Sequence, residues 1–189
     1  LFPLHFHALS FWIIGYVLLA IGLILASIGY FGIRHNYGSG VAVAGFVVGI
    51  VVSVLFLLWT VWDYIVVFPM NSSWMLVVYF EVTVYNIFFI MMILWGVTHI
   101  ITRRFTGMSG LSSATGIMLI ITAVFLEIFD ILLTIVLTWS YYHYMTDVVN
   151  WVLDIFDLTW TISFFVSEIL ATILFFTMKV PESSAKPTF

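Results

Sequence analysis

Long runs of apolar residues, separated by short polar breaks, cover most of this sequence. A helix needs about twenty consecutive apolar residues to cross the roughly 30 Å hydrocarbon core of a bilayer. Five runs reach that length, and the breaks between them collect glycine, proline, asparagine or serine. Their approximate bounds are residues 8–33, 41–68, 74–101, 114–141 and 148–178. The pattern predicts a single transmembrane domain over residues 1–180, followed by a polar tail at 181–189.

The composition indicates the same class of protein. Hydrophobic residues occupy 64% of the 189 positions and charged residues only 7%, whereas a typical soluble domain is about one quarter charged. So few polar residues cannot cover a soluble core of this size. We therefore predict an all-α, multi-pass integral membrane protein, a five-helix transmembrane bundle in the lipid bilayer of the cell membrane or an organelle equivalent. The first run is too long for a signal-peptide core and is predicted to span.

The five basic residues all fall in polar breaks or in the tail. Arg34 lies between the first two runs, Arg103 and Arg104 lie between the third and fourth, and Lys179 and Lys186 follow the fifth. With five spans, these three segments share one side of the membrane. Because basic residues collect on the cytoplasmic side, we predict that the N-terminus is outside and the C-terminus is cytoplasmic.

The acidic residues show the opposite distribution, since most of them lie inside or at the ends of apolar runs. A carboxyl group in hydrocarbon must be protonated, face water or a cation, or meet a donor on another helix or another protein. No basic residue of the chain lies in the runs to pair with these groups. We therefore regard the intramembrane carboxyl groups as candidate functional groups. They are Asp63, Glu81, Glu127, Asp130, Asp154, Asp157 and Glu168.

The spacing of polar residues places them on common helix faces. At about 100° per residue, one stripe on the fifth helix covers an arc of roughly 80°. Its members are Asp147, Asp154, Asp157, Thr161 and Glu168. A shorter stripe on the fourth helix consists of Glu127, Asp130, Thr134 and Tyr141. Because these two helices are consecutive and antiparallel, we expect their stripes to face each other, with Glu168 alone in the cytoplasmic half.

Small residues predict where helices approach one another closely. Gly15, Gly22 and Gly29 recur every seven positions on the first run, and Gly45 and Gly49 are four residues apart on the second. Stripes of small residues let helix backbones come together in lipid. We predict that both faces pack against other helices.

The histidines suggest a metal site at the outer face of the membrane. His5 and His7 are expected to precede the first helix, and His143 to follow the fourth. In an extended segment, His-x-His directs both imidazoles to one side, and with neighbouring carboxylates they are candidate ligands for copper, iron or zinc. His35 and His99 lie on the basic side, where contact with head groups or loops is expected. None of the five lies deep enough for bis-histidine haem ligation, so no haem held by this chain alone is predicted.

Several other chemistries lack their motifs. The chain has no cysteine, which excludes disulfides and thiolate metal sites within it. It contains no glycine-rich phosphate loop, no Gly-x-Ser-x-Gly and no His-Glu-x-x-His, and no basic surface for nucleic acid. The sequence therefore identifies no catalytic residue and no nucleic-acid partner.

Three functions remain consistent with the pattern. The first is an accessory or scaffold subunit of a larger respiratory, redox or ion-translocating membrane complex, whose other subunits supply donors for the carboxyl groups. The second is a stand-alone, oligomeric proton- or cation-coupled channel or transporter. The third is a metal-binding component of a membrane oxidoreductase or monooxygenase. We favour the first because the acids lack basic partners and because aromatic residues, 19% of the chain, suit extended helix contacts.

Overall fold

Five long helices form the described part of the protein. The computed structural model describes residues 2–62, 74–140 and 147–178. The bounds are α1 Phe2–Tyr37, α2 Gly40–Trp62, α3 Trp74–Thr102, α4 Ser109–Ser140 and α5 Asp147–Thr177. Each of these helices contains a segment long and apolar enough to cross a membrane. The predicted all-helical class and the five apolar helices are confirmed, and they indicate a multi-pass membrane protein.

Glycines with left-handed backbone angles shape two connections at one end of the bundle. Gly38 follows α1 with a φ of 74°, and its N–H donates to the carbonyl oxygen of Arg34 at 2.9 Å. Glycine adopts this conformation without the steric penalty of a Cβ atom. Ser39 then caps α2, because its Oγ accepts a hydrogen bond from the N–H of Ala42 at 3.4 Å. Gly107, with a φ of 72°, turns the connection between α3 and α4 in the same way.

Two helices begin earlier in the structure than the predicted apolar spans. α1 begins well before residue 8, so His5 and His7 lie within a helix. Residues two positions apart are about 200° apart around a helix axis, so the extended His-x-His geometry does not hold. α4 begins at Ser109, although the sequence predicts a loop as far as residue 113. Within this stretch Ser112 is buried against α3, where its Oγ donates a hydrogen bond to the carbonyl of His99.

Consecutive helices pack side by side, and α3 is the central one. Near its C-terminal end, Trp95 contacts α1 and α2, whereas His99 contacts α1, α4 and α5. Closer to its N-terminal end, Phe88 packs against Phe56 of α2 and Phe164 of α5. The interior is therefore organised around α3, which contacts all four of the other described helices.

Large apolar side chains cover the outer faces of the bundle. On α5 they run along the helix from Trp151, which is 70% exposed, to Phe176, which is 87% exposed. Apolar surfaces of this extent are unfavourable in water and suit a lipid environment.

Candidate functional site

A hydrogen-bonded tyrosine and histidine lie inside the bundle, near the C-terminal ends of α1 and α3. The Tyr30 hydroxyl oxygen and His99 Nε2 are 2.8 Å apart, and both side chains are fully buried. The Trp95 ring stacks on Tyr30, with centroids 4.5 Å apart and planes inclined by 15°. Phe175 of α5 packs beside both rings, with its centroid 5.6 Å from that of Tyr30 and 5.8 Å from that of His99. Aromatic rings therefore enclose the pair and hold it in place.

The position of His99 corrects the expectation of a head-group or loop contact. Its side chain is fully buried in the bundle, and its Nδ1 atom has no hydrogen-bond partner among the described residues. Its backbone carbonyl accepts a hydrogen bond from the Ser112 Oγ at 2.7 Å, which joins α3 to α4. The sequence contains a usable signal for this placement, since Trp95 and His99 are four residues apart and share a helix face.

Glycines allow very close packing around this pair. The Trp95 Nε1–H donates to the Gly45 carbonyl at 3.0 Å, and a Cβ atom added at Gly45 would lie only 2.8 Å from Trp95 Cδ1. A Cβ atom at Gly49 would lie 3.0 Å from Trp95 Cζ2. Where α3 crosses α4, a Cβ atom at Gly96 would lie 2.7 Å from the Gly116 carbonyl oxygen. The contacts of α3 with α2 and α4 therefore depend on the absence of side chains at these positions.

An open groove lies between the C-terminal halves of α1 and α5. Its volume is about 630 Å³. Small and polar residues on its walls include Gly22, Ala26, Gly29, Gly32, Glu168 and Thr172. A Cβ atom added at Gly22 or Gly32 would meet no other atom within 4 Å, whereas one at Gly29 would lie 3.0 Å from Phe175 Cζ. In the glycine stripe predicted on α1, Gly29 therefore packs against α5, while Gly15 and Gly22 face open space.

Glu168 contributes a carboxyl group to this groove. Its Oε1 atom is buried and has no hydrogen-bond partner in the part of the chain that the structure describes. The contact between Gly29 and Phe175 sets the register of the parallel helices α1 and α5. Glu168 is seven residues before Phe175, and Gly22 is seven residues before Gly29. Glu168 is therefore level with Gly22, where α1 has no side chain.

A second buried carboxyl group lies on α4. Asp130 is 4% exposed, and its Oδ2 accepts one long hydrogen bond, 3.4 Å, from the Asn86 Nδ2 on α3. The Asn86 Nδ2 also donates to the carbonyl of Val82 at 2.8 Å. The Oδ1 atom of Asp130 has no partner among the described residues. Glu127, one turn earlier on α4, is half-buried.

The expectation that the polar stripes of α4 and α5 face each other stays a prediction, because the side chains of Asp154 and Asp157 lie outside the described part of the chain. Asp130 contacts Asn86 on α3, and Glu168 lines the groove beside α1. One described contact between α4 and α5 joins Thr122 and Ser167, whose hydroxyl oxygens are 3.0 Å apart. Ser167 lies about 100° around the helix from Glu168, so Glu168 does not share the direction of this contact.

Several predicted site residues lie outside the described part of the chain. Asp63 and His143 fall in ranges for which no structure is given. Only the helical backbone is described at His5, His7, Glu81, Asp154 and Asp157. Among the described side chains, no three His, Asp or Glu residues come close enough together to hold a metal ion. The metal site at the outer face therefore stays a prediction.

No protein family, curated protein or solved structure matches this chain. Its function must therefore be inferred from the geometry of the enclosed Tyr30–His99 pair and the open groove. A carboxyl group in a lipid-facing groove can pair with a cation, accept hydrogen bonds from a neighbouring helix, or exchange protons.

Proposed function

We propose that this chain is an accessory or scaffold subunit of a larger membrane complex, of the respiratory, redox or ion-translocating kind. The proposal is carried by the Glu168 carboxyl group, which lines an open groove and has no partner among the described residues. An ionisable group in the membrane is costly unless it is paired or reaches water. Lipid tails contain no donor, so a neighbouring subunit is the simplest source of one.

The exposure of α5 supports the same proposal. Within its own chain, only 17% of the α5 span is buried, against 44% for the span of α3. A helix that its own bundle covers so little offers most of its surface to other subunits. Thr172 and Phe176 of α5 line the same groove as Glu168.

Native mass spectrometry of the protein, extracted gently from its own membrane, tests the proposal. We expect other subunits to be bound in a fixed ratio. Elemental analysis of the same sample identifies any metal in the complex and so separates a redox assembly from one without metal. A homo-oligomer free of other subunits would contradict the proposal.

Proton or cation conduction is the second candidate, and the Tyr30–His99 pair is the observation that favours it. The Tyr30 phenol and the His99 imidazole share a hydrogen bond of 2.8 Å. Groups of this kind relay protons in membrane proteins. Purified protein in liposomes that contain a pH-sensitive dye distinguishes the two functions. A flux that falls in both Glu168→Gln and Tyr30→Phe would favour conduction, and vesicles that stay tight would favour the accessory subunit.

A further inference from the structure

We propose that the groove between α1 and α5 binds a transmembrane helix of another protein, and that a basic side chain of this helix pairs with Glu168. The inference rests on the proposed function, because it identifies where a partner subunit binds. It goes further by specifying the surface, the kind of element that occupies it, and the charge that this element carries.

The wall formed by α1 suits the close approach of a helix. Gly22 and Gly32 leave open space, because a Cβ atom at either position would meet nothing within 4 Å. Ala26 adds a third small residue between them on the same wall. Small residues at such spacing let the backbone of a second helix come close, which is the main source of attraction between helices in lipid.

Glu168 supplies the chemistry of recognition. Its Oε1 atom is buried without a partner among the described residues, and the groove is open beside it. Because Glu168 is level with Gly22, α1 contributes no side chain at that position, and the space beyond the Gly22 Cα is open. A lysine or arginine on a docked helix fits this space, since its long apolar stem packs along the groove while its charged end meets the carboxylate.

The positions of the basic residues favour a different protein over a second copy of this chain. Glu168 lies roughly 13 Å along the axis from the C-terminal end of α5. Arg34 is in the last turn of α1, and Arg103 and Arg104 are in the connection after α3. Lys179 and Lys186 follow α5 in the sequence. Among the described residues, a second copy therefore has no lysine or arginine at the depth of Glu168, and a lipid acyl chain would fill the groove without providing a donor.

Site-specific photo-crosslinking in the intact complex tests the inference. A photo-reactive amino acid is placed at Leu25 or at Thr172, both of which line the groove. Matched controls carry it at Ile28 and Ile173, which are exposed on the same helices at similar depths but do not line it. We expect Leu25 and Thr172 to crosslink to one transmembrane segment of the same partner. Peptide mapping should place a lysine or arginine in that segment within about two helical turns of the crosslink.

Two variants test whether the crosslinked contact depends on the Glu168 carboxyl group and on the open space at Gly22. Glu168→Gln should lower the yield of the crosslinked partner roughly tenfold or more, because a buried charge loses its counterpart. Gly22→Leu should lower it similarly by filling the groove. Gly110→Leu is the matched control, since a Cβ atom at Gly110 also meets nothing within 4 Å but lies on α4, outside the groove. Asp130→Asn controls for the loss of a carboxyl group elsewhere.

The outcomes separate this inference from the proposed function. A partner that is present by mass spectrometry but crosslinks equally from all four positions, or from none, would overturn the docking site and leave the subunit function standing. Crosslinks at Leu25 and Thr172 that contain only phospholipid, a second copy of this chain, or a segment without a basic residue would also overturn it. The absence of any partner subunit would overturn both.

Discussion

Glycines serve opposite purposes on two sides of this bundle. Where α3 meets α2 and α4, Gly49, Gly96 and Gly116 are packed so tightly that an added Cβ atom would lie 3.0 Å or less from a neighbouring atom. In the groove between α1 and α5, Gly22 and Gly32 face open space. The residue type is the same, so a stripe of glycines alone does not show whether its own chain closes it. What distinguishes the open side is Glu168, whose buried Oε1 atom has no hydrogen-bond partner among the described residues.

The largest change in the free energy of unfolding is expected where α3 crosses α4, the closed side of the bundle, for Gly116→Ala. Its new Cβ atom would lie 2.6 Å from the carbonyl oxygen of Gly96, a backbone atom that cannot rotate away. Separating α3 from α4 should lower the free energy of unfolding by about 1–3 kcal/mol. Denaturant titration in mixed detergent micelles measures this change, and an unchanged midpoint would show that the helices do not cross so closely.

The next prediction concerns the Tyr30–His99 pair. Tyr30→Phe leaves His99 Nε2 without its hydrogen bond. An unsatisfied buried polar atom should lower the free energy of unfolding by about 1–3 kcal/mol. The double variant Tyr30→Phe/His99→Leu should lose less stability than the sum of the losses in the two single variants, because both substitutions remove the same interaction. Strictly additive effects in this double-mutant cycle would mean that the two side chains are not coupled.

A smaller effect is expected for Ser167→Ala, which removes the hydroxyl contact between α5 and Thr122 of α4. Thr122 keeps its hydrogen bond to the carbonyl of Met118, and interhelical hydrogen bonds in membranes contribute only about 0.6 kcal/mol on average. The same unfolding titration applies. Thr159→Ala is the control, because Thr159 donates to the Ile155 carbonyl in its own helix, and it should change stability less than Ser167→Ala.

The smallest effect is expected on the open side. Gly22→Ala should change the free energy of unfolding by less than about 0.5 kcal/mol, because the added methyl group meets no atom within 4 Å. Comparing it with Gly116→Ala, the same substitution on the closed side, tests the contrast directly. Equal losses in the two variants would show that α1 is covered by its own chain at Gly22.

The sequence predicts the helices well because the bilayer thickness dictates how long each apolar run must be. The error at α4 arises because serine and glycine at residues 109–113 resemble a loop. In the structure, Ser112 donates to the His99 carbonyl, so this serine serves helix contact, whereas Ser109 and Gly110 are exposed on the same helix. Local composition does not distinguish these two uses, and packing against α3 decides between them.

The candidate site is only partly visible in the sequence. Glu168 stands out because a carboxyl group interrupts an apolar run. Tyr30 resembles an ordinary residue near a membrane interface, and His99 is marked only by sharing a helix face with Trp95. Their pairing joins α1 to α3 across the bundle, and no pattern within one helix reports a contact between two. The face that α5 turns toward α4 is likewise set by tertiary packing, here by Ser167.

The groove also has a consequence for the order of assembly in the cell. Its walls come from α1 and α5, the first and the last of the five described helices. During synthesis α1 reaches the membrane early, but the surface beside Glu168 does not exist until α5 has been inserted. A partner that recognises both walls therefore binds only to a chain that has been translated through α5. Chains interrupted before α5 would stay unassembled, which leaves them available for removal by quality-control proteases.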